Sequence, residues 1–124
     1  WIPTLLELAG HKGEEDEELD GISIAPTLLG KKQPEREFLY REFSGYGGQQ
    51  ALWMGKWKGI RQRLLKDRKK SDKEKLRIQL YDMEKDASES EDVAAKNPEV
   101  VARIRKLLKQ EHTPSKFFPI KPLD

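Results

Sequence analysis

Hydrophobic and polar positions alternate most clearly between residues 38 and 62. In FLYREF, residues 38–43, an extended chain puts Phe38, Tyr40 and Glu42 on one side and Leu39, Arg41 and Phe43 on the other. That period of two marks a strand. QQALWM (49–54) runs out as a second strand, Gly55 and Lys56 turn, and WKGIRQ (57–62) runs back. A two-residue loop with Gly first suits a type II′ turn, whose twist matches antiparallel strands. The register sets Trp57 opposite Met54 and Ile60 opposite Ala51, so aromatic and aliphatic pairs meet across the strands. IQLYDM (78–83) alternates again and reads as a further strand. SGYGG (44–48) is too rich in glycine for a regular element.

The helical period appears in three places. Val100, Val101, Ile104, Leu107 and Leu108 recur on one side of residues 98–110, with Arg103, Arg105, Lys106 and Lys109 on the other. An amphipathic helix of this kind lies on one face of a sheet. Asn97 is its expected cap and Pro98 its first residue. His112, just beyond, reads as a further capping residue. Residues 3–9 form a short helix opened by Pro3 and closed by Gly10, and residues 22–30 form one or two turns with Ser23 as a candidate cap. The expected fold is α+β: a four-stranded antiparallel sheet within residues 38–83, the C-terminal helix packed on one face, and short N-terminal helices. Residues 113–124 hold Pro114, Pro119 and Pro122 and read as an extended tail, with Phe117 and Phe118 as candidate pins.

Composition narrows this picture. The chain has 124 residues, 35% hydrophobic and 37% charged, which implies a thin core or an apolar face that rests on something else. The net charge of +2 demands no polyanionic partner. There is no Cys, hence no disulfide framework and no thiol metal site. No apolar run approaches a membrane span. The acidic run at 14–20 reads as a solvated loop rather than a calcium site, because no glycine-centred calcium pattern is present. Asp82, Glu84 and Asp86 read as a solvated strand end. The charged insertion at 64–76 reads as a hairpin loop or frayed strand extension, with a basic arm for an anionic polymer as the functional alternative. No phosphate loop, nucleophile elbow or catalytic triad is visible. The chain opens at Trp1, directly into IPTLLELAG, and reads as a piece of a longer protein.

Several blocks then carry a resemblance. IPTLLELAG (2–10), DGISIAPTLLG (20–30), the stretch from Phe38 to Arg61, LYDMEKDASESEDVA (80–94) and the closing helix from Asn97 resemble, in this order, the C-terminal subdomain of sulfatases of the arylsulfatase A and N-acetylgalactosamine-6-sulfatase kind, in the alkaline-phosphatase-like superfamily. The sequence departs from that pattern at Arg41, where Trp is frequent, at Ser44, where a close subgroup has His, and at Trp53, where Arg is frequent. Ala87 and Asp92 depart too, in a turn.

The resemblance implies a fragment, residues 1–124, that completes the fold of a sulfatase and one wall of its substrate cleft. Its partners would be the absent N-terminal catalytic domain and a sulfated substrate, in a periplasmic or secreted enzyme, with neither membrane nor nucleic acid. Calcium and formylglycine are implied for the whole enzyme. This chain contains no C-x-P-x-R or S-x-P-x-R motif, so no cofactor and no catalytic residue is expected in it, and alone it would be inactive. The SGYGGQQ stretch is either a plain connector or a loop at the cleft rim. In the second reading Tyr46 stacks on a sugar and Gln49 or Gln50 hydrogen-bonds it. An alternative class is a stand-alone binding module for an anionic glycan or nucleic acid, resting on Trp53, Trp57 and the basic insertion.

Overall fold

The computed structural model describes residues 1–11, 21–66 and 71–124. The acidic run at 14–20 and the middle of the charged insertion, 67–70, lie outside them, and with them the calcium and basic-arm readings. The chain forms two compact units, residues 1–36 and 37–124.

In the first unit, α1 (Ile2–Leu8) carries Pro3 in its first turn and α2 spans Ala25–Leu28. The Thr4 hydroxyl oxygen accepts the Ile24 amide at 3.0 Å and ties the two helices together. Ser23 is not the cap of α2: Ile24 holds that position without a side-chain bond, and the Ser23 hydroxyl oxygen accepts the Ala25 amide at 3.1 Å from one residue further out. Leu5, Leu6, Leu8, Leu28 and Leu29 are all exposed.

The second unit holds the sheet, in which β1 (Leu39–Phe43), β2 (Gln49–Met54), β3 (Trp57–Gln62) and β4 (Gln79–Asp82) pair antiparallel in chain order. Met54 faces Trp57 and Ala51 faces Ile60, the register the alternation predicts. Gly55 has φ +55° while Lys56 stays out of the left-handed region. A single positive φ at the first central residue defines the type II′ turn. Helix α4 (Pro98–Gln110) lies on the face formed by Leu52 and Leu80 and buries Val101, Ile104 and Leu108 there. It packs tightly over Gly59, where a Cβ would meet Ile104 Cγ2 at 2.7 Å. The opposite face carries a smaller cluster of Ala51, Ile60 and Tyr81, flanked by Trp53 and Met83.

Several local readings change. Ser71 and Glu74 form a reciprocal capping box that opens a one-turn helix, α3 (Asp72–Lys75), inside the stretch read as loop or frayed strand. Asn97 stands at the α4 cap, but its amide donates to the Val93 carbonyl instead of accepting from the helix. The tail is pinned by Ile120, which is 2% exposed, whereas Phe117 and Phe118 are 87% and 68% exposed. His112 is not a cap: its Nδ1 lies 2.9 Å from Glu42 Oε2 on β1. The acidic strand end is also built into the fold. Asp82 bonds Lys56 at 2.7 Å, which holds its carboxyl below the usual range. Asp86 accepts the Glu91 amide and the Ser88 and Ser90 hydroxyls, and these hydrogen bonds, the backbone ones foremost, lower its pKa to about 2.

Candidate functional site

The period of two that builds β2 sends its first two side chains to opposite faces. Gln50 turns toward α4 and is 1% exposed. Its Nε2 donates to the Tyr40 hydroxyl and to the Leu108 carbonyl, both at 3.0 Å, and its Oε1 accepts from Arg61 Nη1 at 2.7 Å. Arg61 also donates from Nε to the Leu76 carbonyl at 3.0 Å. Burial, with Arg105 nearby, lowers the Arg61 pKa. The Tyr40 hydroxyl in turn donates to Glu42, and burial and this bond raise its pKa. Glu42 meets His112 Nδ1, and His112 Nε2 lies 3.2 Å from Asp124 without the alignment of a hydrogen bond. This chain of polar groups joins β1, β2, β3, the end of α4 and the tail. With its groups bonded to one another and to backbone, it is a structural network.

Gln49 turns to the open face. It lines a pocket of about 370 Å³ with Arg41, Glu42, Phe43, Trp53, Lys58, Ala51 and Ile60, the Glu42 carboxylate itself being engaged by the Tyr40 hydroxyl and His112. Ala51 and Ile60 belong to the buried cluster of this face, and two aromatic rings and two cations surround them. The two cations differ in their commitments. Lys58 Nζ is held by Glu89 and sits 5.0 Å from the Trp53 ring centroid. Arg41 has no ion pair or side-chain hydrogen bond with another described residue, and neither does the Gln49 amide.

Tyr46 lies in the short turn Gly45–Gly47 and is 81% exposed. Its φ is +51°, in the left-handed region that glycine takes freely and a tyrosine does not. Holding a non-glycine residue there costs on the order of 1–3 kcal/mol. The loop is fixed from behind, since the Leu64 and Leu65 amides donate to the Gly48 and Gly47 carbonyls at 3.1 and 2.7 Å. The Tyr46 ring tilts against Phe43 with centroids 6.0 Å apart, so it adjoins the pocket wall that Phe43 forms.

The three residues expected at the rim are therefore divided. Gln49 lines the pocket, Tyr46 reaches it through Phe43, and Gln50 is engaged in the interior. Arg41, the pocket's uncommitted cation, was not among the expected site residues. The alternation placing it on one face with Trp53 and Gln49 was the signal that could have found it. Trp53 and Trp57 stand on opposite faces and make no single stacking platform. Among the described residues no cluster of three or more His, Cys, Asp or Glu could hold a metal ion. No helix among them is long and apolar enough to cross a membrane.

The fold defines a class: a small antiparallel sheet closed on one face by a C-terminal helix and open on the other. No protein-family model matches the chain, and nothing among the curated proteins matches it. Solved structures do. A protein designated BT33336S-sulf, from a Bacteroides thetaiotaomicron locus for metabolism of multiple glycosaminoglycans, is 27% identical with a TM-score of 0.62, over 86% of this chain and 23% of its own. A Bacteroides thetaiotaomicron protein assigned as a sulfatase is 28% identical with a TM-score of 0.65, over 88% of this chain and 23% of its own. Ps i-CgsB, in complex with k-i-k-neocarrahexaose, is 28% identical with a TM-score of 0.55, over 94% of this chain and 25% of its own. The chain thus spans about a quarter of the structures it matches. Its similarity to part of a sulfatase holds in structure.

Proposed function

We propose that these residues are the C-terminal subdomain of a sulfatase that hydrolyses sulfate esters of a glycan, in a periplasmic or secreted setting. The observation that carries this is the similarity over nearly all of this chain and about a quarter of each neighbour. The substrate class follows the neighbours, one from a glycosaminoglycan locus and one in complex with a carrahexaose. In such an enzyme formylglycine supplies the nucleophile and calcium orients the sulfate. The present chain does not fit either group: it has neither a C-x-P-x-R nor an S-x-P-x-R motif, and its described residues offer no metal-ligand cluster. Both would come from the rest of the enzyme.

The role left to this chain is to complete the fold and to shape one wall of the substrate cleft. Tyr46, Gln49 and the pocket of Arg41 and Trp53 form that wall, and Gln50 supports it from within. A side chain held exposed at a costly φ on a rigidly tied loop is a common mark of recognition. A tyrosine ring offers an apolar face to a sugar while its hydroxyl stays in water. In the full-length enzyme, Tyr46→Ala and Gln49→Ala should lower kcat/KM for a sulfated oligosaccharide and leave a small aryl sulfate nearly unaffected. Equal losses on both substrates, or none on either, would make the loop a connector.

A further inference from the structure

The pocket on the open face combines features that a neutral apolar ligand does not require. Its floor is apolar, from Ala51 and Ile60. Its walls include the rings of Phe43 and Trp53. Above the floor stand a guanidinium and an amide, Arg41 and Gln49, neither of which has a partner among the described side chains or backbone. Lys58 is also basic, but Glu89 offsets its charge, and Glu42, which lines the pocket too, has its carboxylate taken up by Tyr40 and His112. At about 370 Å³ the pocket falls in the size range of small-ligand sites.

We propose that this pocket is a subsite for one acidic sugar residue. Arg41 takes the sulfate or carboxylate group, Gln49 bonds a ring hydroxyl, and Trp53 and Phe43 receive the apolar face of the ring. The proposal deepens the glycan reading above and rests on it for the choice of a sugar. Charge complementarity selects an anion: an uncommitted guanidinium offers a planar fork of N–H donors that fits the paired oxygens of a sulfate or carboxylate. The rings select a ligand with an apolar face, which distinguishes an acidic sugar from free inorganic sulfate. The amide adds a donor and an acceptor for a hydroxyl.

The test uses the 124-residue chain and NMR titration of the Trp53 indole N–H, the Gln49 side-chain amide and the Arg41 Nε–H. The probes are N-acetylglucosamine 6-sulfate, glucuronic acid, N-acetylglucosamine and inorganic sulfate. A charge-assisted hydrogen bond is worth about 1.5–3 kcal/mol, so at least one acidic sugar should bind about tenfold or more tightly than N-acetylglucosamine. The two acidic sugars separate the sulfate and carboxylate sources. Inorganic sulfate should bind more weakly than the preferred acidic sugar, because it leaves the rings uncovered. Arg41→Gln should abolish the preference for charge, and Lys106→Gln, an exposed cation on α4, should not.

Equal affinity for charged and uncharged sugars would overturn the proposal. So would full retention of the preference in Arg41→Gln, or shifts that bypass all three reporter groups. No binding at millimolar sugar would also overturn it, as expected if this face receives a protein segment instead. The comparison of sugars on the unaltered chain needs no variant to fold. Because the readout is binding, failure of the parent enzyme to release sulfate is a separate result.

Discussion

Gln49 and Gln50 are adjacent, chemically identical and assigned opposite roles by the fold, which makes a paired truncation informative. Gln50→Ala removes three hydrogen bonds: two made by Nε2, and one in which Oε1 accepts from the Arg61 guanidinium at 2.7 Å. The charge-assisted bond is worth about 1.5–3 kcal/mol and each neutral bond about 0.5–1.5 kcal/mol. Arg61 keeps its bond to the Leu76 carbonyl, and water entering the cavity recovers part of the loss. The expected destabilisation is therefore about 2–4 kcal/mol, at the upper end of ordinary point mutants. Gln49→Ala removes no bond to a described residue, and its cost should stay within about 0.5 kcal/mol. Equilibrium unfolding in urea on the 124-residue chain, with a shared m-value, measures both. Equal costs for the two variants, or a neutral Gln50→Ala, would refute the assignment of Gln50 to the interior.

Gly59→Ala places a Cβ 2.7 Å from Ile104 Cγ2, and overpacking of this kind costs about 1–3 kcal/mol. The penalty should shrink in an Ile104→Ala background, and a double-mutant cycle in urea without that coupling would argue against close docking of α4 on β3. Asp86 has a folded-state pKa of about 2, below its ordinary value of 3.8, so its stabilisation is present above about pH 4 and is lost as pH falls through about 2. Asp86→Ala should accordingly lower the melting temperature at neutral pH, with the gap from the unaltered chain closing as pH approaches 2. A constant gap would locate the effect elsewhere. The exposed leucines of α1 and α2 should make the 124-residue chain associate as concentration rises, which sedimentation velocity reads; a strict monomer at high concentration would contradict this.

The sheet was legible because its signals are local. Alternation and a Gly-Lys turn determine the hairpin register from Gln49 to Gln62, and helical spacing determines α4. The capping box at Ser71 and Glu74 was written in the sequence too, but the charges around it drew the reading toward a loop. The interior network was not legible, because its bonds join distant positions. Gln50 meets Leu108 at a separation of 58 residues, and Glu42 meets His112 at 70. Only the packing of α4 and the tail on the sheet creates those pairs. The same holds for the tail, where Ile120 instead of the two phenylalanines finds a covered site. In the candidate site, SGYGGQQ is not one loop. The strand begins at Gln49, and that boundary separates a pocket residue from a core residue.

The most direct test of the account is release of inorganic sulfate from a sulfated oligosaccharide, measured side by side for the full-length protein carrying this sequence and for the 124-residue chain alone. The account predicts calcium-dependent release by the full-length protein and none by the chain, which lacks the nucleophile motif. Turnover by the isolated chain, or a folded full-length protein that releases no sulfate from any sulfated glycan, would contradict it.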